Sequence, residues 1–266
     1  MIQLLANVNA AFGRNHFIFL GISAILIILG IIYIAKSNIT FNQILNIMIV
    51  IWICSEMIKI ICNIELVSVD GKIVNGYLSK GELPFHLCSI QPIFILIARF
   101  SKRETLRNTA IQFMFPTCLV GATLSLALVT VDVSFANPQV YQYFIFHAAL
   151  IIMAAGIVIK KVAPINLKSY FKTSTLLISL YIVSIWINSI LSQTGSTNLE
   201  DYTNFFYSSR PPLVGLPYLN LNHGWYVYFI HMVTIGIILM TIIHLPFIIK
   251  EYRQKHNLKS NIDNEY

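Results

Sequence analysis

Leu83-Pro84-Phe85-His86-Leu87-Cys88 sets an imidazole and a thiol at the mouth of an otherwise apolar segment. A His and a Cys entering lipid together are costly unless structure or chemistry holds them there. The chemistry such a pair supports is nucleophilic: an imidazole takes the thiol proton, and the thiolate attacks an acyl carbon. A free thiol has a pKa of about 8.5 and apolar burial raises it, so a base is required. His86 and His147 are the two candidates for that base. No metal box, phosphate loop or serine elbow competes for the function.

The elements that must position these groups are membrane helices. The chain has 266 residues, of which 56% are hydrophobic and 11% charged. Soluble domains carry about 25% charged residues. A spanning helix needs roughly 20 mostly apolar residues, and seven stretches qualify, at 17–35, 40–62, 83–100, 110–131, 138–159, 173–191 and 224–249. The fold expected is an all-α, polytopic bundle of seven transmembrane helices forming a single domain over 1–266. The run from Phe17 to Ala35 is longer than a signal-peptide core and no small-x-small site follows it, so it reads as a retained helix.

Thirteen of the Lys and Arg residues follow the first, third, fifth and seventh spans, against five in the alternate loops. The positive-inside rule then puts the N-terminus outside and the C-terminus in the cytoplasm. The formal net charge of +7 is accounted for by basic cytoplasmic loops lying against anionic headgroups, and no nucleic acid is implied. The Ile-, Asn- and Lys-rich usage points to a bacterial cytoplasmic membrane.

Orientation converts sequence position into depth. The third and fifth spans run inward, placing Cys88 about 7 Å and His147 about 13 Å along their axes at roughly 1.5 Å per residue. The second and sixth run outward, so Glu56 and Asn188 fall in their outer halves, level with His231 of the seventh. Glu56, His86, Cys88, His147, Asn188 and His231 thus share one outer-leaflet layer, and ionisable residues at such depths face the bundle interior. If the hexapeptide is helical from Pro84, His86 and Cys88 point to nearly opposite sides, and Pro92 kinks the span one turn further on. His147 is then the base for Cys88, and His86 orients substrate or donates to a group behind the site.

Each of these residues also has a plainer reading. A lone intramembrane histidine is more often a packing hydrogen-bond donor than a catalyst. Glu56 either orients a histidine or is a paired structural carboxylate, and Asn188 near a helix end caps or bridges helices. His244, beside Pro246, reads as interfacial, while His16 and His223 lie at or beyond helix ends without an evident partner. Cys54, Cys62 and Cys118 make no CxxC pair and read as small hydrophobes. The longest connection, 192–222, faces outside and carries Asn204 to Pro212 and Leu216-Pro217-Tyr218. Its Arg210 can pair with a lipid phosphate, or the loop is a Pro-rich cap.

The order of these motifs resembles that of YwaF-like bacterial integral membrane proteins, related to eukaryotic transmembrane protein 164. The likeness runs from Leu83-Pro84-Phe85-His86-Leu87-Cys88 through Phe146-His147, Asn188, Asn204-Phe205-Phe206-Tyr207, Arg210-Pro211 and Trp225-Tyr226 to Leu245-Pro246-Phe247. The eukaryotic relatives are regarded as acyltransferases that move a fatty acyl chain between phospholipids with a cysteine and a histidine. The resemblance therefore implies Cys88 as nucleophile and His147 as the paired histidine. Ser208-Ser209 departs from the family, which often has a cysteine or basic residue there.

The leading expectation is a lipid acyltransferase or acyl hydrolase working through a thioester at Cys88. His86, Asn188, Glu56, Arg210 and His231 would bind substrate, membrane phospholipids would be the partners, and no cofactor is expected. His86, Asn188 or backbone amides of the third span would supply the oxyanion donor. One alternative is a small-solute transporter whose third and fourth spans are broken at Pro92 and Pro116. A second is a non-catalytic scaffold. Zinc is disfavoured, because His86 and Cys88 have poor helical spacing for shared ligation.

Overall fold

The computed structural model describes residues 12–129, 131–192, 202–212 and 218–263. Leu216 and Pro217 of the long loop lie outside that set. Seven helices follow one another: α1 (Arg14–Lys36), α2 (Phe41–Asn63), α3 (Gln91–Phe100), α4 (Glu104–Ala127), α5 (Pro138–Ile159), α6 (Leu167–Leu191) and α7 (Trp225–Asp263). Between α2 and α3 stands a hairpin of β1 (Glu65–Val69) and β2 (Lys72–Tyr77). All but α3 are long and apolar enough to cross a membrane, and the chain is an integral, multi-pass membrane protein.

Capping chemistry sets several helix starts. Thr40 and Gln43 close a capping box on α2, and Asn166 with Ser169 does the same for α6. At α5, Asn137 accepts from the Gln139 amide while Pro138 fills the first helical position, where a missing N–H is not felt. The centre of the bundle is α4 and α5, whose Phe113, Met114, Leu150 and Met153 are fully buried. The outer helices turn Ile25, Leu29, Trp186, Ile190 and Ile242 outward, as lipid-facing surfaces do. Close approach rather than water exclusion holds such helices together. At Gly156 a Cβ would sit 3.3 Å from Ile44 Cδ1, so the absent side chain lets α2 seat against α5.

The two ends of the bundle differ in charge. Lys160 Nζ donates to the Ser37 carbonyl, Arg99 Nε to Asn46 and Arg107 Nη2 to Asn42. The basic loops after α1, α3 and α5 are thereby gathered at one end. At the other end lie the hairpin, the 202–212 segment and the start of α7.

Several expectations need correction. The hexapeptide is not helical: 83–90 is a run of turns, and helix begins at Gln91. Pro92 therefore starts α3 instead of kinking it, and the Cys88 carbonyl accepts the Gln91 N–H at 3.3 Å. Pro116 sits inside a continuous α4, so neither proline breaks a span as the transport reading requires. The Asp70-Gly71 turn, with φ of 51° and 75°, joins two strands with the positive φ pair of a tight hairpin. The chain is thus not helical throughout.

His16 is buried, with Nε2 donating to the Leu126 carbonyl at 2.8 Å and Nδ1 accepting from the Phe12 amide. It ties α1 to the end of α4. His244 is fully buried in the bundle, with its ring edge-on to Tyr170 and Phe115.

Candidate active site

Cys88 is held by the turn that precedes α3. Ile90 N–H returns to the His86 carbonyl at 2.9 Å, closing one loop of chain around the cysteine. The buried Gln91 amide donates to the Leu87 carbonyl at 3.0 Å and to Thr117 Oγ1 of α4 at 3.1 Å. One side chain thus fixes the turn and fastens it to its neighbour. The Cys88 thiol is buried, 3.6 Å from Ser125 Oγ. It packs against Gly121, where a Cβ would stand 3.2 Å from the sulfur.

His147 projects from α5. Its Nδ1 lies 2.6 Å from the carbonyl of Tyr143, one turn back. A carbonyl only accepts, so Nδ1 carries the proton and Nε2 is the lone-pair nitrogen. The Tyr143 ring stacks at a tilt on the imidazole, centroids 4.3 Å apart, and its hydroxyl donates to the Ser125 carbonyl at 2.7 Å. Cys88 and His147 are therefore connected through Ser125 and Tyr143. Both also wall one cavity of about 910 Å³, together with Ser125, Tyr143 and His86.

His86 reaches that cavity from the turn, its ring against Phe205 and Tyr207 at 5.2 and 5.6 Å. Tyr207 closes the wall beside Cys88, and burial, reinforced by the charge of that cysteine, pushes its phenol up to about 12. It therefore stays a neutral hydroxyl at ordinary pH. Phe206 and Tyr207 occupy the left-handed region, with φ of 57° and 52°. Such strain persists only where surroundings dictate it. Here Asn188 and the hydroxyl of Tyr228, which donates to the Tyr207 carbonyl, do so.

Asn188 is the latch of that segment and not part of the cavity wall. Its Nδ2 donates to the Phe205 carbonyl at 3.1 Å and to Ser208 Oγ at 2.8 Å, while Oδ1 accepts the Phe205 N–H at 2.9 Å. Its amide is committed, so the expectation of an oxyanion donor there is overturned. Arg210 likewise serves its own loop, donating through Nη2 to the Tyr202 carbonyl, and its partial burial lowers its pKa. His231 turns aside to the Tyr218 carbonyl at 2.6 Å. Glu56 does line the cavity, but it pairs with Lys59 at 2.7 Å instead of with a histidine.

Ser125, Tyr143 and Tyr207 are the wall residues that sequence reasoning missed. Tyr143 stands four residues before His147, a spacing that shares one helix face. Ser125 is a polar residue near the end of the fourth expected span, and that depth is the signal that could have found it. Tyr207 belongs to the Asn204-Phe205-Phe206-Tyr207 motif, but its place in the wall depends on a loop held by tertiary hydrogen bonds.

The model of the TMEM164 family matches residues 11–244, a stretch that contains Cys88, His147 and the whole cavity wall described above. Neither the curated proteins nor the solved structures contain a match to the chain.

Proposed function

The chain belongs to the TMEM164 family, and from that premise we propose that it is a membrane-embedded lipid acyltransferase or acyl hydrolase. Cys88 is the nucleophile and His147 the base. The observation that carries this reading is that these two residues, from separate elements, wall one cavity and are joined by Ser125 and Tyr143.

His147 Nε2 accepts the thiol proton as Sγ attacks the carbonyl carbon of a phospholipid ester. The ester C–O bond then breaks, and the departing alkoxide takes the proton from the imidazolium, leaving a lysolipid and a thioester at Cys88. In the second half, an acceptor hydroxyl gives its proton to His147 and attacks the thioester, forming the new ester and releasing the thiol. Water in place of that hydroxyl makes the reaction a hydrolysis. The N–H groups of Leu87, Cys88 and Ser89 and the His86 ring are the oxyanion donors, and pre-aimed donors of this kind supply much of the stabilisation in acyl transfer.

The site belongs to the outer leaflet of a bacterial cytoplasmic membrane, with the basic end of the bundle against anionic headgroups inside. The substrates are membrane phospholipids, and one membrane domain carries the whole function.

The test is acyl exchange by full-length protein reconstituted with a phospholipid bearing one isotope-labelled chain and a lysophospholipid acceptor. Labelled acceptor, or labelled free fatty acid, should form with wild type and be lost in Cys88→Ala. His147→Gln should slow it by about 10²- to 10⁴-fold, the usual worth of a general base. Turnover in Cys88→Ala equal to wild type overturns the reading.

A further inference from the structure

The cavity does not end at the thiol. Cys88 lies level with Gly121 on α4, but the wall continues one turn beyond, to Thr117 and Pro116. It runs on past Leu177 of α6 and past Gly236 and Met240 of α7. Trp225 marks the outer start of α7, where its Nε1 donates to the Ser208 carbonyl at 2.9 Å. At roughly 1.5 Å per residue, Gly236 is about 16 Å and Met240 about 22 Å further along that helix. Half of a hydrocarbon core is about 15 Å, so this arm reaches through one leaflet's depth. Its wall is mainly aliphatic, with the hydroxyls of Ser174 and Tyr181 on α6 as interruptions.

Gly236 is the informative position in that arm. A Cβ there would meet nothing within 4 Å, whereas one at Gly121 would crowd Cys88 and Leu87. The glycine at 121 is explained by packing. At 236 no neighbour excludes a side chain, and the space facing it is the cavity itself.

We propose that the arm between α4, α6 and α7 is a slot for the fatty acyl chain of the phospholipid substrate, and that Gly236 sets the length of chain it admits. The proposal rests on the acyl-transfer reading of Cys88 for the carbonyl's position. The headgroup stays at the polar mouth formed by Lys59, Asn63, Glu82 and Asn137, while the chain descends past Gly121 to Gly236. Each methylene shut out of a filled apolar pocket costs about 10- to 200-fold in selectivity.

Two measurements on full-length protein in phosphatidylcholine vesicles test this. In the first, one acyl chain carries a terminal diazirine, and the label is mapped by peptide mass spectrometry. Label should fall on Ile235, Gly236, Leu239, Met240, Leu177 and Ile178 in wild type and in Cys88→Ala. It should drop at least about tenfold in Gly236→Phe but not in Gly21→Phe, on the exposed face of α1 where a Cβ also has open space. In the second, the acyl chains found on Cys88 from a donor series of graded length should shorten in Gly236→Leu and keep the wild-type profile in Gly236→Ala.

Labelling confined to lipid-facing residues, or unchanged by Gly236→Phe and Gly236→Leu, overturns the slot. Labelling of the arm with no acyl group ever found on Cys88 upholds the slot and refutes the nucleophile. A Cys88 thioester whose chain lengths ignore Gly236→Leu does the reverse.

Discussion

His147 donates through Nδ1 to the carbonyl of Tyr143, and that single bond decides its chemistry. It fixes the neutral tautomer with Nε2 unprotonated, the form a general base requires. Asn188 shows the opposite fate of a polar group in the same sequence layer. The three hydrogen bonds of its side chain go to the Phe205 backbone and the Ser208 hydroxyl. Truncating it leaves the buried Phe205 N–H without its partner, at a cost of about 1–3 kcal/mol, while the Phe205 carbonyl keeps the Ser208 N–H and hydroxyl. Asn188→Ala should therefore lower the thermal midpoint in detergent and speed proteolysis between 202 and 212. An unchanged midpoint would show that the latch is redundant. Depth along the expected spans puts Glu56, His86, Cys88 and His147 in one layer, and all four line one cavity, although His86 and Cys88 stand on a turn and not on a span. The direction each side chain points around its helix was not legible in the sequence, because packing sets it, and so Asn188 and His231 share the level without sharing the site.

The turn over 83–90 is the element on which the site depends. The sequence pattern reads as helix because Pro84 suits a first turn and the stretch is apolar, yet only Gln91–Phe100 is helical. Pro92 is the residue that marks the true start, since proline is favoured in the first turn of a helix. The tertiary bonds from Gln91 to Leu87 and Thr117 carry no sequence signature. The expected span 138–159 coincides with α5, and 40–62 differs from α2 by one residue at each end, whereas α4 and α6 start six residues before the expected 110 and 173 and α7 runs on to Asp263. The hairpin does have a sequence signal, Asp70-Gly71 between strands that carry Val67, Val69, Ile73 and Val74.

A clear prediction belongs to this element. Gly121→Ala puts a methyl 3.2 Å from Cys88 Sγ and 3.3 Å from Leu87 Cδ2, tighter than ordinary contact. The turn must give way, because α4 is a continuous helix packed against α3 and α5. Acyl transfer should fall by about 10²-fold, the scale of a 1 Å misplacement, while the circular-dichroism spectrum stays helical. Full activity in Gly121→Ala would mean that the thiol needs no such seat.

Across the whole molecule, polarity of charge and position of chemistry agree. Lys160, Arg99 and Arg107 gather at one end, and the Cys88 turn, the hairpin and the 202–212 segment gather at the other. On the proposed topology the first end is cytoplasmic, as the positive-inside rule expects. A protease site inserted at Asp70-Gly71 should then be cut from outside intact cells, and a reporter fused at the C-terminus should be active only in the cytoplasm. Cleavage of the hairpin from the inside would invert the topology and move the site to the inner leaflet.

The most direct measurement of the central claim is intact mass spectrometry of wild-type protein mixed briefly with a phospholipid donor. The account predicts a hydroxylamine-labile adduct of one acyl chain on Cys88, forming far more slowly in His147→Gln. An acyl group carried elsewhere, or lipid turnover with no adduct on Cys88 at any time, would contradict it.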